Sequence, residues 1–438
     1  MKKINDWLFK SYRLIIGSIA FYPTIITMGF FGFSIIINLI EYRPWMMDLK
    51  ETLSFILVKS KEDARLVLGT LVGSIISLMV FSFSMVMVVL NRASATLSPR
   101  VIPGLITHKS NQTVLGFYLG SIVYCLTLIV NIQSEGSNSI PDFGILMAMI
   151  FGIMCLGFFM FFIHSISQSI QVDNILKRIQ GKTERRMESL SLTDDEDLIE
   201  MPETEEWLSL KSPDAGYIKE IKVKELLKMA KKHKLKIKLD VPIGYFLVKG
   251  YPYLKINKQT DKEVEQEIHN CFISYPQEWL DDHYSFGFKQ ISEIAVKALS
   301  PGINDPGTAV KAINLLSVLF IQKMKITDKY FVTNDNNEPR LFFEPIELND
   351  LLYQNLTSIR EYGKTDALVM ITLLNCLKNI LHADQQCQHH SVIIEHIESI
   401  AESCKEHITN SIDMKNIQAV LKSIAPLSQK SLKVDLDS

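Results

Sequence analysis

The chain has 438 residues, with 46 Lys and Arg against 48 Asp and Glu, and its formal net charge of −2 argues against a protein that grips nucleic acid by bulk positive charge. The average conceals two unlike parts. Residues 1–170 carry 12 basic and 8 acidic side chains among long uncharged apolar runs, whereas the rest carries 34 and 40, the density of a water-exposed surface. Six cysteines (Cys125, Cys155, Cys271, Cys376, Cys387 and Cys404) follow no repeating spacing, which argues against a disulfide framework.

Residues 14–40, 66–90, 113–132 and 143–163 contain no charged side chain, and each is long enough to cross a hydrocarbon core of roughly 30 Å as a helix. The first run is too long for a signal-peptide core and ends on Glu41-Tyr42-Arg43-Pro44 instead of a small-residue cleavage site, so it reads as a retained span. Basic residues flank the spans on one side: Lys2, Lys3, Lys10 and Arg13, then Arg92, Arg100 and Lys109, then Lys177, Arg178, Lys182, Arg185 and Arg186. Cytoplasmic flanks carry such excess, which predicts both termini in the cytoplasm and the loops 41–65 and 133–142 outside. Within the first loop, residues 45–58 suit either a short interfacial helix or a structured loop.

The second span holds two patterns. Gly69, Gly73 and Ser77 form a small-xxx-small row that admits another helix closely, a device repeated by Gly116 and Gly120 in the third span. Thr70, Ser74, Ser77, Phe81, Ser84, Val88 and Asn91 recur at spacings of four and three, which keeps them on one helical face. If several copies ring an axis, Thr70, Ser74, Ser77, Ser84 and Asn91 line a wet path, Phe81 constricts it, and Arg92 puts positive charge at its mouth, favouring anions. The competing reading is that these hydroxyls bond carbonyls of their own helix or neighbouring helices. No Asp, Glu, Lys or Arg lies inside a span, which argues against a proton- or sodium-coupled transporter.

The fourth span continues as an amphipathic stalk to residue 180, with His164 near headgroup level. Residues 181–211 read as an acidic linker, 212–258 as a small β-rich module, and 259–438 as a mainly helical cytoplasmic domain with one hairpin at 330–333 and 340–343. The fold class is thus an integral membrane protein of four transmembrane helices followed by a cytoplasmic α+β region. The glycine-bounded strands of the module, around Gly244 and Gly250, resemble half of a biotinyl/lipoyl-type β-sandwich that lacks the modifiable lysine hairpin.

Between two helical patterns stands Ser300-Pro301-Gly302-Ile303-Asn304-Asp305-Pro306. Pro301 ends one helix, Asp305 is placed to cap the next, and Pro306 fills its first position. The amides of Gly307 and Thr308, with Ser300, Asn304 and Asp305 beside them, make this a candidate anion or partner site as well as a structural corner. With Asn91-Arg92-Ala93-Ser94, Ser98-Pro99-Arg100 and Ser169-Ile170-Gln171-Val172, this string resembles a bacterial family of membrane proteins catalogued as domain of unknown function 2254. The resemblance implies a membrane protein with a cytoplasmic domain and brings no established activity.

Cys387-x-x-His390 and Cys404-x-x-His407 loosely suit zinc, but residues 14 apart on one helix are about 21 Å distant, beyond one ion's reach. No phosphate loop, dinucleotide fingerprint, nucleophile elbow or His-Glu-x-x-His occurs, so neither an enzyme nor a cofactor is expected. The expected function is a homo-oligomeric, channel-like protein with the bilayer, further copies of itself and a small ion or anion as partners. The alternative is a membrane-anchored sensor or scaffold.

Overall fold

The described parts of all four uncharged runs are helical in the computed structural model, which describes residues 20–427 apart from 42, 45, 47–49, 51–54, 59, 97–108, 133–139, 170, 192–198, 243, 276–282, 329 and 335–336. The expectations for 45–58, for the loop 133–139 and for Arg100 therefore lie wholly or mostly outside the described residues. The helices are α1 (Phe21–Ile40), α2 (Lys61–Thr96), α3 (Lys109–Ile132) and α4 (Asp142–Ser169), each long and apolar enough to span a membrane. They fall in one of two compact units, with the boundary at Asn174.

Within this first unit α1 and α3 run side by side in the same direction. A Cβ placed on Gly116 would meet Ile26 at 2.8 Å and Pro23 at 2.9 Å, and one on Gly120 would meet Phe30 at 2.5 Å. The missing side chains of α3 are what let α1 sit so close. Tyr124 of α3 is buried and donates to the carbonyl of Gly144 at the start of α4 (3.0 Å). α2 contributes Ala64, Leu68, Ile75 and Ser82 to the buried interior, a stripe at helical spacing.

The expected continuous stalk is interrupted. α4 ends at Ser169 and a new helix, α5 (Val172–Leu190), follows. The cause is local: the Asn174 carboxamide donates to the carbonyl of Gln168 (3.0 Å), which a continuing helix would give to a backbone amide four residues on, and the amide of Gln171 bonds that carbonyl in the tighter three-residue pattern.

The second unit takes in Thr96–Arg100 and the chain from Ile175 onward. Part of residues 181–211, expected to be an acidic linker, is structured. α5 runs through Leu190 because Ile175, Leu176, Ile179, Thr183 and Met187 make one buried stripe. Thr183 packs directly on Gly287, whose lack of a side chain makes room for it. Leu208–Lys211 is strand β1. The following elements are β2 (Gly216–Ile221), α6 (Val223–Lys232), β3 (Ile237–Leu239), β4 (Phe246–Leu247), β5 (Pro252–Ile256), α7 (Lys262–His269) and β6 (Phe272–Tyr275). Helices α8 (Ser285–Leu299), α9 (Pro306–Met324), α10 (Leu348–Gly363), α11 (Ala367–Ala383), α12 (His390–His407) and α13 (Ser411–Ile424) then form the helical part, interrupted by strands β7 (Phe331–Thr333) and β8 (Pro339–Phe343).

That hairpin is no isolated insertion. β8 pairs in parallel with β3, Ile237 opposite Leu341, giving a five-stranded sheet ordered β1-β5-β3-β8-β7 beside a three-stranded sheet ordered β4-β2-β6. Leu341 is buried with Ile237, Leu239 and Leu254 in one apolar cluster, so strands from both sides of residue 258 share a core.

Candidate functional site

Among the described residues, the hydroxyl-bearing face of α2 is exposed. Thr70, Ser74, Ser77, Phe81, Ser84 and Asn91 are all exposed, and the side chain of Arg92 lies outside the described residues. Thr70 donates to the carbonyl of Leu66 (2.7 Å) and Ser77 to that of Gly73 (3.0 Å), the self-satisfying bonds that helix serines and threonines make four residues back. Ser74 and Ser84 have no hydrogen-bond partner among the described residues. Phe81 leans edge-on against Phe159 of α4, centroids 5.6 Å apart, while keeping half of its surface exposed. Nothing lies within 4 Å of where a Cβ of Gly69 or Gly73 would stand. The helix thus turns away from its own buried stripe a side that combines hydroxyls with two bare stretches of backbone.

The corner at residues 300–308 is closed on itself. Ser300 ends α8 with its hydroxyl donating to Lys297 O (2.6 Å), and Asn304 takes a left-handed conformation, φ 49°. Asp305 caps α9: its carboxylate accepts from the Thr308 amide (3.1 Å) and from the Thr308 hydroxyl (2.7 Å). These bonds hold the Asp305 carboxyl below the usual carboxylate range, with a smaller contribution from the Gly307 amide. Both Thr308 donors are thus engaged by a carboxylate of the chain, as a structural corner requires.

Two charged groupings are buried around Glu41 and Asp328. In the first unit Glu41, one residue beyond α1, is fully buried. Its carboxylate accepts from the amides of Phe143 (3.0 Å) and Gly144 (3.2 Å) in the first turn of α4 and pairs with Lys50 at 2.6 Å. A carboxylate on free amides at a helix N-terminus is favoured by both hydrogen bonding and the helix dipole. In the second unit Asp328 is buried and its Oδ2 accepts from the Tyr284 hydroxyl (2.6 Å) and the Ile346 amide (3.3 Å), with Lys323 at 3.4 Å. Beside it, the Nδ1 of buried His283 accepts from the Ser285 amide (3.2 Å), which fixes the neutral ring with its proton on Nε2. Burial, reinforced by the charges of Arg186 and Lys323, pushes the His283 pKa down to about 3.

A family model described as "Predicted membrane protein (DUF2254)" matches residues 17–379, most of the chain. The chain belongs to the DUF2254 family. Among curated proteins it is similar to the uncharacterized proteins Rv1290c of Mycobacterium tuberculosis and Mb1321c of Mycobacterium bovis, each 23% identical over 337 residues that cover 73% of this chain and 64% of theirs. The chain therefore spans about 64% of the length of these relatives. No solved structure matches it.

For this DUF2254 chain the stripe on α2 is legible in the sequence, its exposure is not, and neither Glu41 nor His283 stands out there as a buried charged or titratable group. Glu41 carried a weak signal, a lone acid directly after an uncharged run, but its amide partners lie 102 and 103 residues further along. His283 carried none, since nothing in its neighbours announces burial.

Proposed function

We propose that this membrane protein assembles with further copies of itself into a pore of the bacterial inner membrane, with α2 lining the axis. The observation that supports the reading is the outer side of α2, where Ser74 and Ser84 stand exposed without a bond and Gly69 and Gly73 are bare. Lipid offers such hydroxyls no partner, whereas a ring of neighbours offers water and backbone contact. Arg92, Arg100 and Lys109 between the second and third spans favour anions at one mouth. In this reading both termini and residues 175–438 are cytoplasmic, and the polar unit assembles or gates the pore without catalysing a reaction. Its partners are the bilayer, identical subunits and a small permeating ion.

The test is ion flux in liposomes reconstituted with the purified chain. Chloride conductance that rises in Phe81→Ala, where the constriction widens, supports the pore. Absence of flux in both proteins refutes it. One observation favours a second reading: Thr70 and Ser77 already satisfy their hydroxyls on their own helix, as residues of a plain anchor would. The chain would then be a membrane-tethered scaffold whose polar unit binds a partner protein, and a silent reconstitution with an intact oligomer would favour it.

A further inference from the structure

A groove of about 340 Å³ runs between α1 and α3, lined by Ser34, Ile35 and Asn38 on one side and by Val123, Thr127 and Asn131 among others on the opposite one. Its walls are mixed in character. Ile35 and Val123 are apolar, while the polar groups gather toward one end. Asn38 stands two residues before the end of α1 and Asn131 one residue before the end of α3. Because α1 and α3 run in the same direction, the two carboxamides reach the same level, within about 3 Å of the helix ends at 1.5 Å rise per residue. α1 has 20 residues, about the full thickness of a hydrocarbon core, so that level is the border between acyl chains and headgroups.

The two hydroxyls of the groove are already used: Ser34 donates to Phe31 O (2.7 Å) and Thr127 to Tyr124 O (2.7 Å). The two carboxamides are different. Neither Asn38 nor Asn131 has a hydrogen-bond partner among the described residues. Asn38 is half-buried and Asn131 exposed, so both amides are open to whatever fills the groove, and a bilayer supplies acceptors at that depth, the ester carbonyls of its glycerolipids. The solvent of this surface is itself lipid.

We propose that the groove between α1 and α3 is a binding site for one diacyl glycerophospholipid, with an acyl chain along Ile35 and Val123 and the ester carbonyls accepting hydrogen bonds from Asn38 and Asn131. The site is separate from the α2 face and stands whether or not the protein conducts. The ligand class follows from depth and from donor chemistry: carboxamide donors at the border, hydrocarbon below. A helix of another protein brings free carbonyls only at its C-terminal turn, whereas every diacyl glycerolipid brings two ester carbonyls at this depth.

The test is native mass spectrometry of the full chain, delipidated in detergent and titrated with dioleoylphosphatidylglycerol. The wild-type protein should retain one lipid, and the double variant Asn38→Leu, Asn131→Leu should bind it about tenfold more weakly, the effect of losing two modest hydrogen bonds. Val123→Trp fills the groove and leaves both carboxamides in place, and it should weaken binding to a similar degree. Melting temperatures of all three proteins separate a lost site from a lost fold, and the two variants reach the same conclusion by different routes. Equal retention by all three, or binding of detergent alone, overturns the proposal. So does disulfide cross-linking between two copies of Leu126→Cys in native membranes, which would make the groove a subunit contact.

Discussion

α2 and α3 carry the same device, two glycines four residues apart, and meet opposite circumstances. On α3 the gap is filled: Pro23, Ile26 and Phe30 of α1 stand where side chains of Gly116 and Gly120 would be. On α2 the corresponding space at Gly69 and Gly73 is open. A glycine row permits close approach of a helix and does not choose the helix. On α3 that choice is made within the chain by an aromatic side chain able to lie in the gap, with rings of α4 behind it, Phe30 and Phe151 being 5.0 Å apart. On α2 no described residue makes it.

The strongest way to break the covered side is to remove its polar fastening. Glu41→Ala leaves two first-turn amides of α4 without their acceptor and removes the carboxylate that pairs with Lys50. Removing one partner of a buried ion pair costs about 3–5 kcal/mol, so this variant should melt far below the wild type in detergent micelles. Glu41→Gln, which keeps acceptor capacity and loses the charge, should fall between them. Melting unchanged by Glu41→Ala would mean that α1 and α4 are held by apolar packing alone.

Filling the covered gap comes next. Gly120→Val drives a side chain into Phe30 and should destabilise the first unit by about 1–3 kcal/mol, the usual penalty of overpacking. Phe30→Ala in the same chain should restore part of the loss, since it empties the colliding volume. A double variant no more stable than Gly120→Val alone would show that the close contact of α1 with α3 is not what the glycine secures.

A third measurement tells which transition belongs to which unit, on which the two preceding tests depend. His283 is buried neutral and titrates at about 3 in the folded chain, whereas an unfolded histidine titrates near 6.5. Between those values the unfolded chain binds one more proton than the folded one. Stability is therefore whole above about pH 6.5 and declines by about 1.4 kcal/mol per pH unit as the pH falls toward 3. Melting followed at pH 7.5 and 5.5 should lower the transition of the second unit, and His283→Asn, which preserves an acceptor for the Ser285 amide, should flatten that dependence. An equal slope in the variant would assign the pH effect to other groups.

Much of this architecture is legible in the sequence because period and charge are local properties. The four spans follow from uncharged length, and α8 to α13 from apolar spacing. Asp305 and Pro306 announce the start of α9 by the chemistry of a helix N-terminus. What failed to show itself depends on distant partners. β8 looks like an isolated hairpin strand until it pairs with β3 about a hundred residues earlier. The acidic stretch after α4 reads as a linker because its charges outnumber its apolar groups, although Ile179, Thr183 and Met187 suffice to bury one side of α5. The α2 face was legible as a stripe, and its exposure was not, since exposure depends on what α1, α3 and α4 leave uncovered.

The smallest effect on stability is the sharpest test of the contrast. Gly73→Leu places a large side chain where no described residue has an atom within 4 Å, so the folded monomer should lose nothing and the better helix former should shift stability by under about 1 kcal/mol. The same substitution at Gly120 is a collision. If α2 meets the α2 of another subunit, Gly73→Leu must instead lower the apparent mass in sedimentation of the detergent-solubilised protein, because it blocks an approach between chains. Gly73→Ala, one methyl group, should weaken association less. A melting temperature and an assembly state both unchanged by Gly73→Leu would mean that the open row faces only lipid, and the pore reading would lose the contact that brings its subunits together.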